Sequence, residues 1–265
     1  MCVCSASCPE VLPDDNIARC AETEKGMSKF GSLTTKLATS LFIIFAMAVA
    51  ASAQMTIFNI PSTDTLEKKG VYVEADFIAK PVSYDKGGFQ TYGYRVVYGL
   101  GHKTEVGANF YYTRDGGDAI AELQVNAKQT LYENEKHGIA ATAGFIASTP
   151  LRDTRGSKRY ALLYSNVSKT VEKLKGLRVT GGVYTVVGGG RDFGTKTGAI
   201  VGVEQPITKR ISLLADWFSG KNRFGYASGG LNFAVTKKQF ILLGYNFGNS
   251  GAGNNSLAVF YGYTF

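Results

Sequence analysis

Thr104-Glu105-Val106-Gly107-Ala108-Asn109-Phe110-Tyr111-Tyr112-Thr113 alternates with a period of two. Successive side chains of a strand point to opposite faces. Val106, Ala108, Phe110 and Tyr112 therefore share one face, and Glu105, Gly107, Asn109, Tyr111 and Thr113 share the other. The first face suits hydrocarbon and the second suits water.

The same rhythm recurs along the chain. Leu123, Val125 and Ala127 oppose Glu122, Gln124, Asn126 and Lys128. Near the end, Leu257, Val259, Tyr261, Tyr263 and Phe265 oppose Ala258, Phe260, Gly262 and Thr264. Alternation also runs through 71–79, 91–100, 139–148, 160–170, 177–187, 198–207, 211–218, 226–235 and 239–247. The pattern predicts about twelve strands of about ten residues, the length a tilted strand needs to cross a bilayer.

A soluble sandwich alternates too, so the connectors decide. One set is short and polar: 99–103, 132–137, 172–176, 206–210 and 236–238. The interleaved set is longer or richer in glycine: 81–88, 114–118, 149–156, 188–194, 219–223 and 248–254. Short and long connectors alternate in a membrane barrel, as periplasmic turns and external loops. An open sheet in lipid would leave edge amides unpaired at several kcal/mol each, so the sheet must close. The fold class expected is all-β, a closed antiparallel transmembrane β-barrel of about twelve strands, occupying 70–265.

Composition agrees. Glycine is frequent (32), proline scarce (6), and Tyr and Phe number 15 and 16, a mixture that favours pleated strands and tight turns over helices. Mean hydropathy near zero excludes a polytopic helical membrane protein. Strand-end aromatics such as Tyr98, Tyr112, Tyr132, Trp217, Tyr263 and Phe265 fit interfacial girdles.

The residues before the first strand carry the features of an export signal. Lys29 and Lys36, the apolar run 41–50 and Ala51-Ser52-Ala53 are the three parts of a secretory signal over 27–53, cleaved near Ala53-Gln54. The run is shorter than the roughly 20 residues a spanning helix needs. All four cysteines, Cys2, Cys4, Cys8 and Cys20, precede Met27, with no spacing that completes a zinc site. Residues 1–26 are read as an extension outside the working protein, and 54–69 as a periplasmic segment leading into the barrel.

The terminal Tyr261-Gly262-Tyr263-Thr264-Phe265 resembles the C-terminal signature of bacterial outer-membrane barrels: a final Phe with aromatics at alternate positions before it. The resemblance is to the porin- and transporter-like class as a whole, covers 54–265 in pattern, and singles out no one family. It implies recognition of Tyr261, Tyr263 and Phe265 by the barrel-assembly machinery. Asn59-Ile60-Pro61-Ser62-Thr63-Asp64 resembles the start of several barrel families.

Enzymatic barrels of known families place a histidine beside a serine or acid near the outer rim, because histidine titrates near the operating pH. Here His102 and His137 fall in short turns of different hairpins, so no enzyme, cofactor or metal site is expected. Stretch 189–197 nearly spells a phosphate-binding loop, but Thr195 separates Gly194 from Lys196 and no helix is predicted to follow.

The net charge of +8 concentrates in the external loops. Arg114, Arg152, Arg155, Arg159 and Arg191, with Lys80, Lys86, Lys158, Lys196, Lys221 and Arg223, outnumber Asp85, Asp115, Asp118, Asp153 and Asp192. A basic rim suits anionic lipopolysaccharide and outer-membrane lipid, and no aromatic–basic nucleic-acid module is present. Facing inward are Glu74, Asp76, Glu105, Glu122, Glu204 and Asp216 with Arg95, Lys128 and Arg178. They either line a pore or pair into a structural network. Inward glycines (93, 107, 144, 182, 198, 202, 244 and 262) either keep a lumen open or make room for Tyr72, Tyr111, Tyr184, Phe218 and Phe240. Arg95 and Arg178 are expected to form a constriction with Glu105 and Glu204. The functional expectation is narrow, passive passage of small solutes; the alternative is a non-conducting structural, assembly or export-accessory barrel.

Overall fold

In the computed structural model, which describes residues 56–117, 119–152 and 158–265, the alternating stretches become twelve strands. They are β1 (Val71–Lys80), β2 (Phe89–Gly101), β3 (Thr104–Arg114), β4 (Ile120–Asn134), β5 (Ile139–Pro150) and β6 (Tyr160–Val171). The second half comprises β7 (Leu177–Gly188), β8 (Thr197–Pro206), β9 (Ile211–Phe218), β10 (Tyr226–Ala234), β11 (Gln239–Gly248) and β12 (Ser256–Thr264). Each pairs antiparallel with its sequence neighbours, and β1 pairs with β12 to close the ring. The closing seam runs from Tyr72↔Thr264 to Ala79↔Leu257. No edge remains, which is the condition for a sheet in lipid. The expected leader 27–53, the cysteines and the expected extension 1–26 lie outside the described residues.

The face assignment follows the alternation. Val96, Val125, Leu163, Val183, Leu243 and Leu257 are exposed on the outer surface, an apolar belt far larger than a water-soluble monomer presents. Among the described residues no helix is long and apolar enough to cross a membrane; the strands cross. Tyr98, Tyr132, Trp217 and Phe265 are exposed near strand ends.

Turn chemistry sets the register. The two residues joining β2 to β3, His102 and Lys103, both have positive φ (50° and 56°). That matches the right-handed twist of a tight hairpin, and a register shift between Gly99 and Gly101 sits beside it. The β4–β5 turn ends on Gly138 at φ 61°, with the Asn134 side chain accepting from the His137 amide. A second irregularity lies between Thr130 and Tyr132. It lets β4 run to Asn134, beyond the stretch in which strict alternation could be followed, and turns both Leu131 and Tyr132 outward, as a bulge does.

The lead-in to β1 differs from expectation. Residues 54–69 were expected on the periplasmic side, yet Ile57, Phe58 and Ile60 are at most 2% exposed and lie against the inner wall of the barrel. The physical reason is burial: three large apolar side chains within four residues are costly to leave in water. The inner wall offers them glycine-lined space.

Candidate functional site

The lumen is built from the inward faces of the strands and from this N-terminal plug. Asp216 on β9 organises the plug tip. Its Oδ2 accepts the backbone amides of Phe58 (3.1 Å), Asn59 (2.5 Å) and Ile60 (2.8 Å). Consecutive amides converging on a carboxylate form an anion nest, and the Ile57 amide closes the turn onto Ile60 O at 2.9 Å. Asn59 Nδ2 donates to Ser228 Oγ on β10 and Asn246 Oδ1 on β11. A Cβ at Gly202 would lie 2.5 Å from Ile57 and 2.8 Å from Ile60, and one at Gly244 would lie 2.4 Å from Phe58. These glycines are absent side chains into which the plug fits.

The lower plug is tied to other strands. Asn166 Nδ2 donates to Pro61 O at 2.6 Å, and Lys128 Nζ to Ser62 O at 3.3 Å. Thr63 meets Ser168, and Thr65 meets Thr130. The Leu66 amide donates to Glu105 Oε2 at 2.9 Å. Arg178 grips Asp64 through Nη1 (2.7 Å) and Nη2 (2.9 Å).

All nine inward charges expected from sequence face the interior, and their pairing is specific. Glu74 pairs with Arg95 at 3.1 Å and accepts the Tyr72 hydroxyl. Glu105 pairs with Lys128 at 3.1 Å. Arg178 reaches Glu204 at 3.5 Å as well as Asp64. Asp76 accepts the Tyr111 hydroxyl at 3.1 Å. The expected constriction is thus corrected. Arg95 meets Glu74 on the adjacent strand rather than Glu105, because β1–β2 register sets Glu74 opposite Arg95. Glu105 instead faces Lys128 across the β3–β4 pair.

Between plug and wall lies a cavity of about 670 Å³. It follows the β1–β6 side, from Glu105 and Lys128 near the short-turn end, past Arg95, Tyr111 and Gln124, to Lys158 and Asp192 at the outer loops. An amide ladder lines one side: Asn126 donates to Asn109, Asn109 to Gln124, and Gln124 to the Tyr160 hydroxyl, each at 3.2 Å.

The outer mouth holds a residue misread from sequence. Arg223 was counted with the solvated rim, but its guanidinium turns inward and makes two 2.6 Å bonds to Glu122 Oε1 and Oε2. Glu122 is on β4, half the ring from the β9–β10 loop that carries Arg223. The cation lies 5.1 Å from the Tyr160 ring centroid and 5.8 Å from that of Phe224. Phe193 packs on both rings. The neighbouring Phe224 was the available signal, since an aromatic beside a loop arginine provides a surface on which the guanidinium can stack. Arg114, Arg152, Arg159 and Arg191 remain on the outer rim and exposed; Arg155 lies outside the described residues. Loop 189–196 leads directly into β8, with no following helix. His102 and His137 sit at the short-turn end.

No protein-family profile and no curated protein matches the chain. Its fold is that of bacterial outer-membrane barrels. A KdgM porin solved in complex with disordered oligogalacturonate superposes with a TM-score of 0.55 at 10% identity, covering 74% of this chain and 99% of that one. An outer membrane channel from Pseudomonas putida F1 gives 0.54 at 14% identity, covering 77% and 98%.

Proposed function

We propose that the chain is an outer-membrane channel giving passive passage to small solutes, with the N-terminal plug as its constriction. The carrying observation is the cavity of about 670 Å³ beside the plug, which joins the outer loops to the Glu105–Lys128 pair. There the lower plug crosses the route, through Lys128 on Ser62 and Leu66 on Glu105. Likeness of fold to a porin and a channel supports passage in general and names no solute. Polar wall groups along the cavity can exchange hydrogen bonds with a passing hydrated solute, as narrow pores require.

The alternative is a non-conducting barrel serving envelope structure, assembly or export. The plug's bonds to β3, β4, β6, β7, β9, β10 and β11 favour it. Single-channel recording of the refolded mature chain, beside a chain lacking 56–66, separates the two. Small steps in the first and larger steps in the second support the channel. Silence in both sinks it.

A further inference from the structure

Glu122 is a carboxylate with a side chain 3% exposed, placed at the outer mouth of a lumen. Such a group needs a cation or several hydrogen-bond donors beside it, and Glu122 has the cation. The occupant here is held in the manner of a ligand. Two parallel 2.6 Å bonds take both carboxylate oxygens, the fork geometry specific to a planar guanidinium. The rings of Tyr160 and Phe224 supply π-faces, and Gln124 fixes the Tyr160 hydroxyl. The Arg223 side chain remains 42% exposed, and Glu122, Tyr160, Arg223 and Phe224 all border the cavity, through which a solute would reach them.

The loop does not depend on that arginine for its shape. Asn222 Nδ2 donates to the Tyr184 hydroxyl at 2.8 Å and to Thr195 O at 2.6 Å. Asn249 Nδ2 donates to Phe218 O and Gly220 O, both at 2.8 Å. The Gly225 amide closes onto Asn222 O at 3.0 Å. Removing the guanidinium leaves a formed loop, an aromatic wall and a buried carboxylate without its partner.

We infer that the outer mouth carries a recognition site for planar organic cations of the amidinium or guanidinium type, built from Glu122, Tyr160 and Phe224 and filled at rest by Arg223. The site deepens the channel reading, on which its role in solute selection rests, while its binding chemistry stands apart from conduction. A neutral or anionic solute that displaced Arg223 would strand Glu122; a planar cation would replace what it removes.

The test titrates benzamidinium chloride, with neutral benzamide as control, into the detergent-solubilised full barrel by calorimetry. Arg223→Ala should bind benzamidinium at least tenfold more tightly than wild type. Adding Glu122→Gln to that variant should abolish the gain, and benzamide should bind none of them. Arg223→Lys, which keeps charge but loses the fork and the stacking, should fall between wild type and Arg223→Ala and serves if the alanine variant does not fold. Absent benzamidinium binding to the vacated site, equal binding of benzamide, or a gain that survives Glu122→Gln would each overturn the site. Bilayer recording on the same preparations keeps the readings apart: binding without current fails the channel and keeps the site, and current without binding does the reverse.

Discussion

Asp216 and Ile60, 156 positions apart in sequence, are joined by a 2.8 Å bond from the Ile60 amide to Asp216 Oδ2. A wall residue thereby fixes the tip of a segment that belongs to no strand. Bonds to a charged acceptor contribute about 1.5–3 kcal/mol each in favourable settings. Asp216→Ala removes three at once. The tip should detach far more often, giving at least a tenfold rise in time spent at higher conductance in planar bilayers. An unchanged dwell-time distribution would refute the tip's gating role.

Gly202 offers a way to push the plug without altering a bond. Its missing Cβ would fall against Ile57 and Ile60 and no nearer wall atom. Gly202→Leu should expel the tip, raise conductance and keep the heat-modifiable mobility of a folded barrel. The comparison is Gly181→Ala, where a Cβ meets nothing within 4 Å, and which should behave as wild type.

Arg95→Ala separates wall from constriction. It strips the ion pair from Glu74, which is 4% exposed, and breaking a buried pair costs about 3–5 kcal/mol. The variant should melt early in thermal unfolding followed by circular dichroism, while conductance shifts only modestly, because the plug crosses at Glu105 and Lys128. A large conductance rise with unchanged melting would return Arg95 to the constriction.

Deleting Phe265 probes assembly. The Phe265 amide donates to Val71 O at 2.8 Å across the closing seam, and its ring lies 4.4 Å from Tyr263. The truncated chain should reach the outer membrane at several-fold lower yield, with periplasmic aggregate by fractionation. Normal yield would disprove the terminal-strand argument.

Strands and inward charges were legible because both depend on local periodicity. Once Val106 faces lipid, Glu105 faces inward, and the β3–β4 register carries Lys128 to meet it. The plug was not legible, because its burial depends on Asp216, Ser228 and Asn246, each more than 150 positions away. A signal was present in Ile57, Phe58 and Ile60, an apolar cluster with no alternation, and in inward Gly202 and Gly244, which leave room on the inner wall. Arg223 was misread for a related reason. Loop charge predicts solvent only when no buried carboxylate lies within reach, and Glu122 lies across the ring.

The plug is almost electrically silent. Between Thr56 and Leu66 it carries one charged side chain, Asp64, and that one is held by Arg178 at the short-turn end. Moving a full charge through an entire membrane potential exchanges about 2.3 kcal/mol per 100 mV. A charge that starts beside one face and withdraws through it crosses only a small part of that field. Voltage would therefore have little grip on a gate formed by this plug, and its opening should follow the chemistry of what arrives at the lumen rather than the potential across it.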